Sequence, residues 1–341
     1  MMNSSQLNLT AVDAYLSAHL NGYEGPLEAT KFDIGQSNPT FELRTPSRSY
    51  VLRRKPPGQL LKSAHAVDRE FRVQRALAES RVPVPKIYLL CEDDAVIGSA
   101  FYVMEHLRGR IFPEPTLQGE NNRTRTAVLD EMNRVLADLH KVDINAVGLS
   151  DYGPAGNYFE RQISRWTKQY RASETEKIND MNKLIDDLER SLPADDGQRT
   201  LVHGDYRIDN LMYAADGTNC VGVLDWELST IGHPYADLAA VIMQWQLPPG
   251  RDGRGLAGVD RDSLGLPGDQ AFIAQYCQRR GLPEIADFGF YLAFNFFRMA
   301  AILQGVYKRA LDGNASDPKR AQAFGAYVPV FAQHGLAALN G

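Results

Sequence analysis

The stretch 199–229, RTLVHGDYRIDNLMYAADGTNCVGVLDWELS, constrains this chain more than any other. Two apolar runs flank AADGTN, a cluster of turn-forming residues, and the pattern predicts a β-hairpin. Polar residues bracket it: His203, Asp205 and Asn210 before the turn, Asp225 after it.

The rest of the chain sorts around that hairpin. TKFDIG, PTFELRT and SYVLRRK are short β-branched or aromatic runs separated by Gly, Asn, Pro and Ser, which predicts three adjacent antiparallel strands. From about Ser63 to Glu79 the period becomes helical, with Ala66, Glu70, Val73 and Leu77 on one face. VPVPKIY reads as a proline-punctuated connection, and IGSAFYVMEHL as a buried strand ending near Leu107. Helices are predicted over roughly 120–142 and 157–191, the first with Val128, Leu129, Met132, Val135, Leu136 and Leu139 at helical spacing. FYLAFNFFRMAAILQGVYKRAL predicts a further apolar helix, and LPPGRDGRGLAGVDRD a mobile loop. The class is α+β: a small antiparallel β-lobe with one main helix over 1–107, and a larger, mainly helical lobe over 108–341.

Composition narrows the functions. With 341 residues, 44% hydrophobic and 23% charged, the chain can bury a sizeable core. A net charge of −5 gives no electrostatic footprint for nucleic acid or an anionic membrane, so neither is expected as a partner. Cys91, Cys220 and Cys277 lack metal-ligand spacing and read as reduced thiols. The N-terminal residues show no signal-peptide pattern and no segment reaches 18 uninterrupted apolar residues, so the expected compartment is the cytoplasm.

The residue types around the hairpin suit phosphoryl transfer. That chemistry needs a group to orient an attacking hydroxyl and accept its proton, and ligands for the Mg²⁺ that neutralises nucleotide phosphates. His-x-Asp-x-x-x-x-Asn supplies an acid at 205 and an amide at 210, and Asp225 adds an oxygen ligand of the kind hard Mg²⁺ prefers. Glu70, an acid in an apolar helical stripe, requires a cation. The third strand offers Arg53 and Arg54 on opposite faces, so only one can serve.

These motifs resemble the aminoglycoside phosphotransferase and choline kinase-like family, which shares the protein-kinase fold. The resemblance covers nearly the whole chain, and LDWELSTIGHPYADLA fits it well. It implies a two-lobed kinase-like fold, Asp205 as catalytic base, Asn210 and Asp225 as Mg²⁺ ligands, and structural roles for His203 and Asp237. It further implies an ATP site. Gly35, Gln36, Ser37 and Asn38 in IGQSNPTF would approach phosphates, Arg53 would bridge Glu70 and the phosphates, and backbone groups of Glu105 and Leu107 would bind adenine. A D-F-G-to-A-P-E activation segment is missing, which argues against a protein kinase.

For the acceptor, residues 251–341 hold ten Lys or Arg against eight Asp or Glu, no acidic excess for a polycationic antibiotic. GQSNPTF, VLRRKPPGQLLKSAHAVDREF, YFERQISRWTKQY and FRMAAILQGVYKRAL resemble the phosphotransferase-like domains fused to acyl-CoA dehydrogenases. That implies a small hydroxylated acceptor of the hydroxyacyl-CoA type, with no flavin and no dehydrogenase chemistry in this chain. The alternatives are an aminoglycoside or other antibiotic kinase, a catalytically inactive nucleotide-binding module, and a hydrolase using His203 or His233. No G-x-S-x-G elbow supports the last.

Overall fold

A computed structural model describes residues 7–32, 38–56, 66–250, 253–314 and 317–341. In chain order these form α1 (Leu9–His19), β1 (Glu28–Lys31), β2 (Thr40–Arg44), β3 (Ser49–Arg54), α2 (Val67–Ala76), β4 (Ile87–Cys91), α3 (Asp94–Ile97), β5 (Phe101–Glu105) and β6 (Arg110–Ile111). There follow α4 (Asn122–Leu139), α5 (Tyr158–Ser173), α6 (Asn179–Arg190), β7 (Thr200–Val202), β8 (Leu211–Tyr213), β9 (Cys220–Val223) and β10 (Thr230–Gly232). The chain ends in α7 (Tyr235–Trp245), α8 (Arg261–Leu264), α9 (Asp269–Arg280), α10 (Phe288–Leu311), α11 (Pro318–Ala323) and α12 (Tyr327–Asn340).

The chain divides into two compact units. The first joins Met1–Phe112 with Val142–Leu149 and Arg207–Ser229; the second joins Pro113–Lys141, Ser150–Tyr206 and Thr230–Gly341. The predicted hairpin, β8–β9, thus groups with the N-terminal residues, and the 203–210 motif is cut between Tyr206 and Arg207.

In the first unit an antiparallel sheet has the order β1-β2-β3-β5-β4. Strand alternation gives it two unlike faces. Phe41, Leu43, Tyr50, Leu52, Phe101 and Val103 join Val12 and Leu16 of α1 in one buried cluster. Tyr102, Met104, Ile87 and Leu90 pack with Val67 and Phe71 of α2 in another. A second sheet, β6-β8-β9, carries the hairpin.

The second unit is helical apart from the β7–β10 pair. Its centre is the 24-residue α10, which buries Phe290, Phe294, Phe296, Phe297, Ala300 and Ala301 and packs against α5, α7 and α12. All six predicted apolar positions of α4 are buried. The predicted 157–191 helical region is two helices, α5 and α6, separated by Glu174–Ile178.

Three expectations need correction. TKFDIG is placed too late as a strand: β1 is Glu28–Lys31, and residues 33–35 lie outside the described residues. The last two residues of the proline-punctuated connection are strand, because β4 starts at Ile87, two residues after Pro85, and pairs with β5. The segment expected as a mobile loop is instead tied down in its described part: Leu256 is buried, and its N–H donates to Trp245 O at 2.9 Å while Ala257 N–H donates to Leu247 O at 3.0 Å. A Cβ at Gly255 would collide with the Leu247 and Gln244 carbonyls, so this glycine permits a close backbone approach rather than mobility.

Candidate active site

In the first unit the site is built on one guanidinium. Arg53 sits opposite Tyr102 in the β3–β5 register, on the α2 face. Its Nε lies 2.8 Å from Glu70 Oε2, its Nη2 2.7 Å from Asp225 Oδ1 and 3.7 Å from Glu227 Oε2. Arg54 points to the α1 face, where its guanidinium lies 5.6 Å from the Phe41 ring. Strand alternation therefore gives Glu70 to Arg53 and makes Arg54 a core residue.

Glu70 is 1% exposed. It accepts from Asn38 Nδ2 at 2.8 Å and from the Tyr102 hydroxyl at 3.1 Å, and Gln74 Nε2 donates to that hydroxyl at 3.2 Å. Burial pushes its carboxyl up to about 7; Arg53 opposes this, while the neighbouring Asp225 and Glu227 carboxylates add to it. Burial opposes the charge of Arg53 too, but the surrounding carboxylates raise its pKa overall. Glu70, Asp225 and Glu227 all face the Arg53 guanidinium.

Asp225 and Asn210 stand at the same end of the hairpin. Leu211 pairs with Val223, and beyond that pair the Leu224 N–H donates to Asn210 O at 2.8 Å, so Asn210 accepts the last hydrogen bond and Asp225 directly follows its donor. Asp225 has φ +64°, a left-handed conformation that costs a side-chain-bearing residue energy and recurs at functional sites. The turn beyond it is fixed: Trp226 Nε1 donates to Val223 O at 2.9 Å, Ser229 Oγ to Trp226 O at 2.6 Å, and Arg69 of α2 to Ser229 O at 3.3 Å.

The implied Mg²⁺ fits this donor set. Asp225 and Asn210 offer the hard oxygens that Mg²⁺ prefers. Among the described residues no group of three or more His, Cys, Asp or Glu is placed to hold a metal.

Asp205 belongs to the second unit, where Asp237 holds its loop. The His203 and Gly204 N–H groups donate to the two oxygens of Asp237 at 2.7 and 2.8 Å, and Arg298 Nη2 donates to Gly204 O at 3.1 Å. Gly204 has φ +83°, which lets two successive N–H groups face one carboxylate. Asp205 N–H donates to His203 Nδ1 at 3.3 Å. His140 Nε2 lies 3.3 Å from Asp237 Oδ2, and its Nδ1 lies 2.7 Å from the Tyr276 hydroxyl. Burial keeps His140 below its ordinary pKa. Burial opposes the charge of Asp237, but His140 and the loop N–H groups overcome it and hold the carboxyl below the usual range. His203 is fully buried, and His233 is stacked on Tyr291 and 3.3 Å from Asp196.

The model of the phosphotransferase enzyme family matches residues 28–285, a span that includes both of these centres. The chain belongs to that family. The phosphotransferase is 46% identical over 315 residues to acyl-CoA dehydrogenase family member 10 of Mus musculus, covering 92% of this chain and 29% of that protein. It is 43% identical over 321 residues to member 11 of Rattus norvegicus, covering 91% of this chain and 41% of the relative. It therefore spans less than half the length of these curated relatives. A solved structure from Ralstonia eutropha, named only provisionally as an aminoglycoside phosphotransferase, shares 47% identity and superposes with TM-score 0.91 over 98% of this chain and 99% of the other. Aminoglycoside phosphotransferase APH(4)-Ia, solved with AMP-PNP and hygromycin B, superposes at TM-score 0.60 with 16% identity over 95% of this chain and 99% of that one, a likeness of fold. The phosphotransferase thus has the expected α+β, protein-kinase-like fold and is an enzyme of the small-molecule kinase type. No helix among its described residues is long and apolar enough to cross a membrane.

The structure brings Arg53, Glu70, Asn38, Asn210 and Asp225 into the first unit and Asp205 into the second. Gly35, Gln36 and Ser37 lie outside the described residues. Glu105 ends β5, with its N–H donating to Lys86 O at 2.8 Å, and the Leu107 side chain covers Gly222, where a Cβ would collide with it. Sequence reasoning missed Gln74, Glu227 and His140. Gln74 is signalled by its i+4 spacing from Glu70 and Glu227 by its place two residues after Asp225, whereas nothing local ties His140 to Asp237.

Proposed function

We propose that this phosphotransferase transfers the γ-phosphoryl group of ATP, with Mg²⁺, to a hydroxyl of a small acceptor of the hydroxyacyl-CoA class. The observation that carries the reading is the Arg53 guanidinium shared by Glu70 and Asp225, beside a hairpin that sets Asn210 next to Asp225. The acyl-CoA part draws support from the names of the relatives, which this chain matches over about nine-tenths of its own length.

In this reading Asp205 orients the acceptor hydroxyl and takes its proton as the oxygen attacks phosphorus. Asp237 keeps the Asp205 loop in place and does not touch the acceptor. Arg53, held by Glu70, binds phosphate oxygens, with the amides of Gly35, Gln36, Ser37 and Asn38 as further phosphate donors. Backbone groups of Glu105 and Leu107 bind the adenine edge. Asn210 and Asp225 hold Mg²⁺, which when bound neutralises charge on the nucleotide phosphates. Residues 1–107 serve as the nucleotide lobe and 108–341 as the catalytic and acceptor lobe.

The test is an acceptor panel of hydroxyacyl-CoA thioesters, aminoglycosides and choline, incubated with ATP and Mg²⁺ and followed by mass spectrometry. Phosphorylated hydroxyacyl-CoA, abolished by EDTA and by Asp225→Ala, is expected. Phosphorylation of aminoglycosides with none of the thioesters would overturn the acceptor, and full turnover in folded Asp225→Ala would overturn the metal assignment.

A further inference from the structure

In the second unit α5 and α10 gather cations beside the loop that carries Asp205. Arg161, Arg165 and Lys168 follow one another at i, i+4 and i+7 along one face of α5. Arg298 of α10 donates to Gly204 O, one residue from Asp205. The Arg165 and Arg298 guanidiniums lie 5.3 and 5.8 Å from the Trp166 ring centroid. Arg298, Arg161 and Arg165 each favour the ionised form of the half-buried Tyr158 hydroxyl, although burial raises its pKa overall.

Among the described residues no Asp or Glu forms an ion pair with Arg161, Arg165, Lys168 or Arg298; Arg161 Nη1 donates instead to the Ala155 and Asn157 carbonyls. Asp237, the acid that also reaches Tyr158, is committed to His140 and the loop N–H groups. Like charges in a row weaken a helix and repel, and an indole between two of them offsets only part of that. A solvated basic face would point its cations away from the catalytic loop. Here one of them bonds that loop.

We infer that Arg161, Arg165 and Arg298 form the anion-binding side of the acceptor site, and that the acceptor carries a phosphate or carboxylate as well as its hydroxyl. The inference rests on the phosphotransferase reading and deepens it. A guanidinium grips either anion through paired N–H donors, and polycationic acceptors are repelled. Arg298 is also a positioning residue for Asp205, through Gly204. Arg165, exposed and bonded to no loop carbonyl, is the separable member.

The experiment compares three acceptors, a hydroxyacyl-CoA, its free hydroxy acid and the neutral methyl ester of that acid, in wild type, Arg165→Gln and Arg165→Glu, each checked by circular dichroism. For whichever anionic acceptor is used, Arg165→Glu should raise KM roughly tenfold to a hundredfold, the size of a lost charge-assisted hydrogen bond, with KM for ATP unchanged. The thioester and the free acid distinguish phosphate from carboxylate. The methyl ester should be poor in all three proteins. Titration of wild type and Arg165→Glu with coenzyme A or with the hydroxy acid, at saturating ADP and Mg²⁺, reads the site without catalysis. Equal binding by the two proteins, or a methyl ester used as well as the anions, would overturn the anion site. Weaker binding by Arg165→Glu without turnover of any acceptor would support the site and count against the phosphotransferase reading.

Discussion

Glu70 and Asp237 are equally buried, each about 1% exposed, yet their carboxyl groups move in opposite directions. Glu70 draws on one guanidinium that Asp225 and Glu227 also claim, and its remaining donors are the side chains of Asn38 and Tyr102. Asp237 accepts two backbone N–H bonds and faces His140, with no rival acid in contact among the described residues. Burial at the two sites is alike, so the partners decide the outcome. A carboxylate fixed by main chain makes a rigid loop. One fixed by a shared cation makes a site that responds when charge is added.

The largest effect should come from breaking the rigid side. Asp237→Ala leaves the His203 and Gly204 N–H groups and His140 without their acceptor, and should cost about 3–5 kcal/mol, as removal of one partner from a buried charged network does. Denaturant unfolding would measure it; a loss under about 1 kcal/mol would mean that water replaces the carboxylate. Because the folded pKa of Asp237 lies below its unfolded 3.8, its contribution is present above that value and is lost as pH falls through the folded pKa. Asp237→Asn should remove that acid-side dependence.

On the responsive side, Arg53→Ala should raise KM for ATP roughly tenfold to a hundredfold while Arg54→Ala lowers the thermal midpoint and leaves KM unchanged. If Arg54→Ala instead weakens ATP binding, the proposed role of Arg53 fails. The smallest effect is a pH slope. Glu70 rises from 4.5 to about 7, so without ligand the folded state binds the extra proton between those values. Stability should then fall as pH rises from about 4.5 to 7, and Glu70→Gln should flatten that slope. Unchanged slopes in thermal melts from pH 5 to 8 would show that Glu70 is not the group responsible.

Much of this arrangement was legible in the sequence because it is local. The polar brackets of the hairpin, the α4 stripe and an acid on an apolar helix face each declare themselves within a few turns or strands. Arg53 over Arg54 needed only the strand period and one long-range fact, the position of α2. Other features were hidden for physical reasons. Helix α1 buries only Val12 and Leu16, and its clearest local sign is Asn8 accepting from Ala11 N–H at 3.1 Å. Strand β4 begins two residues after the second of two prolines, Pro83 and Pro85. The partnership of His140 with Asp237 spans 97 residues, and Arg298 reaches the Trp166 ring beside Arg165 only through the packing of α5 on α10. Such contacts are tertiary, and residue spacing carries no trace of them.

The central claim concerns Asp205, and it is tested most directly by ³¹P NMR of ATP, Mg²⁺ and a hydroxylated acceptor with wild type and with Asp205→Ala of verified fold. Wild type should convert the γ-phosphate signal into a phosphate monoester of the acceptor, and the variant should do so at least about a hundredfold more slowly, the lower range for loss of a general base. Ester formation at the wild-type rate by Asp205→Ala would contradict the account.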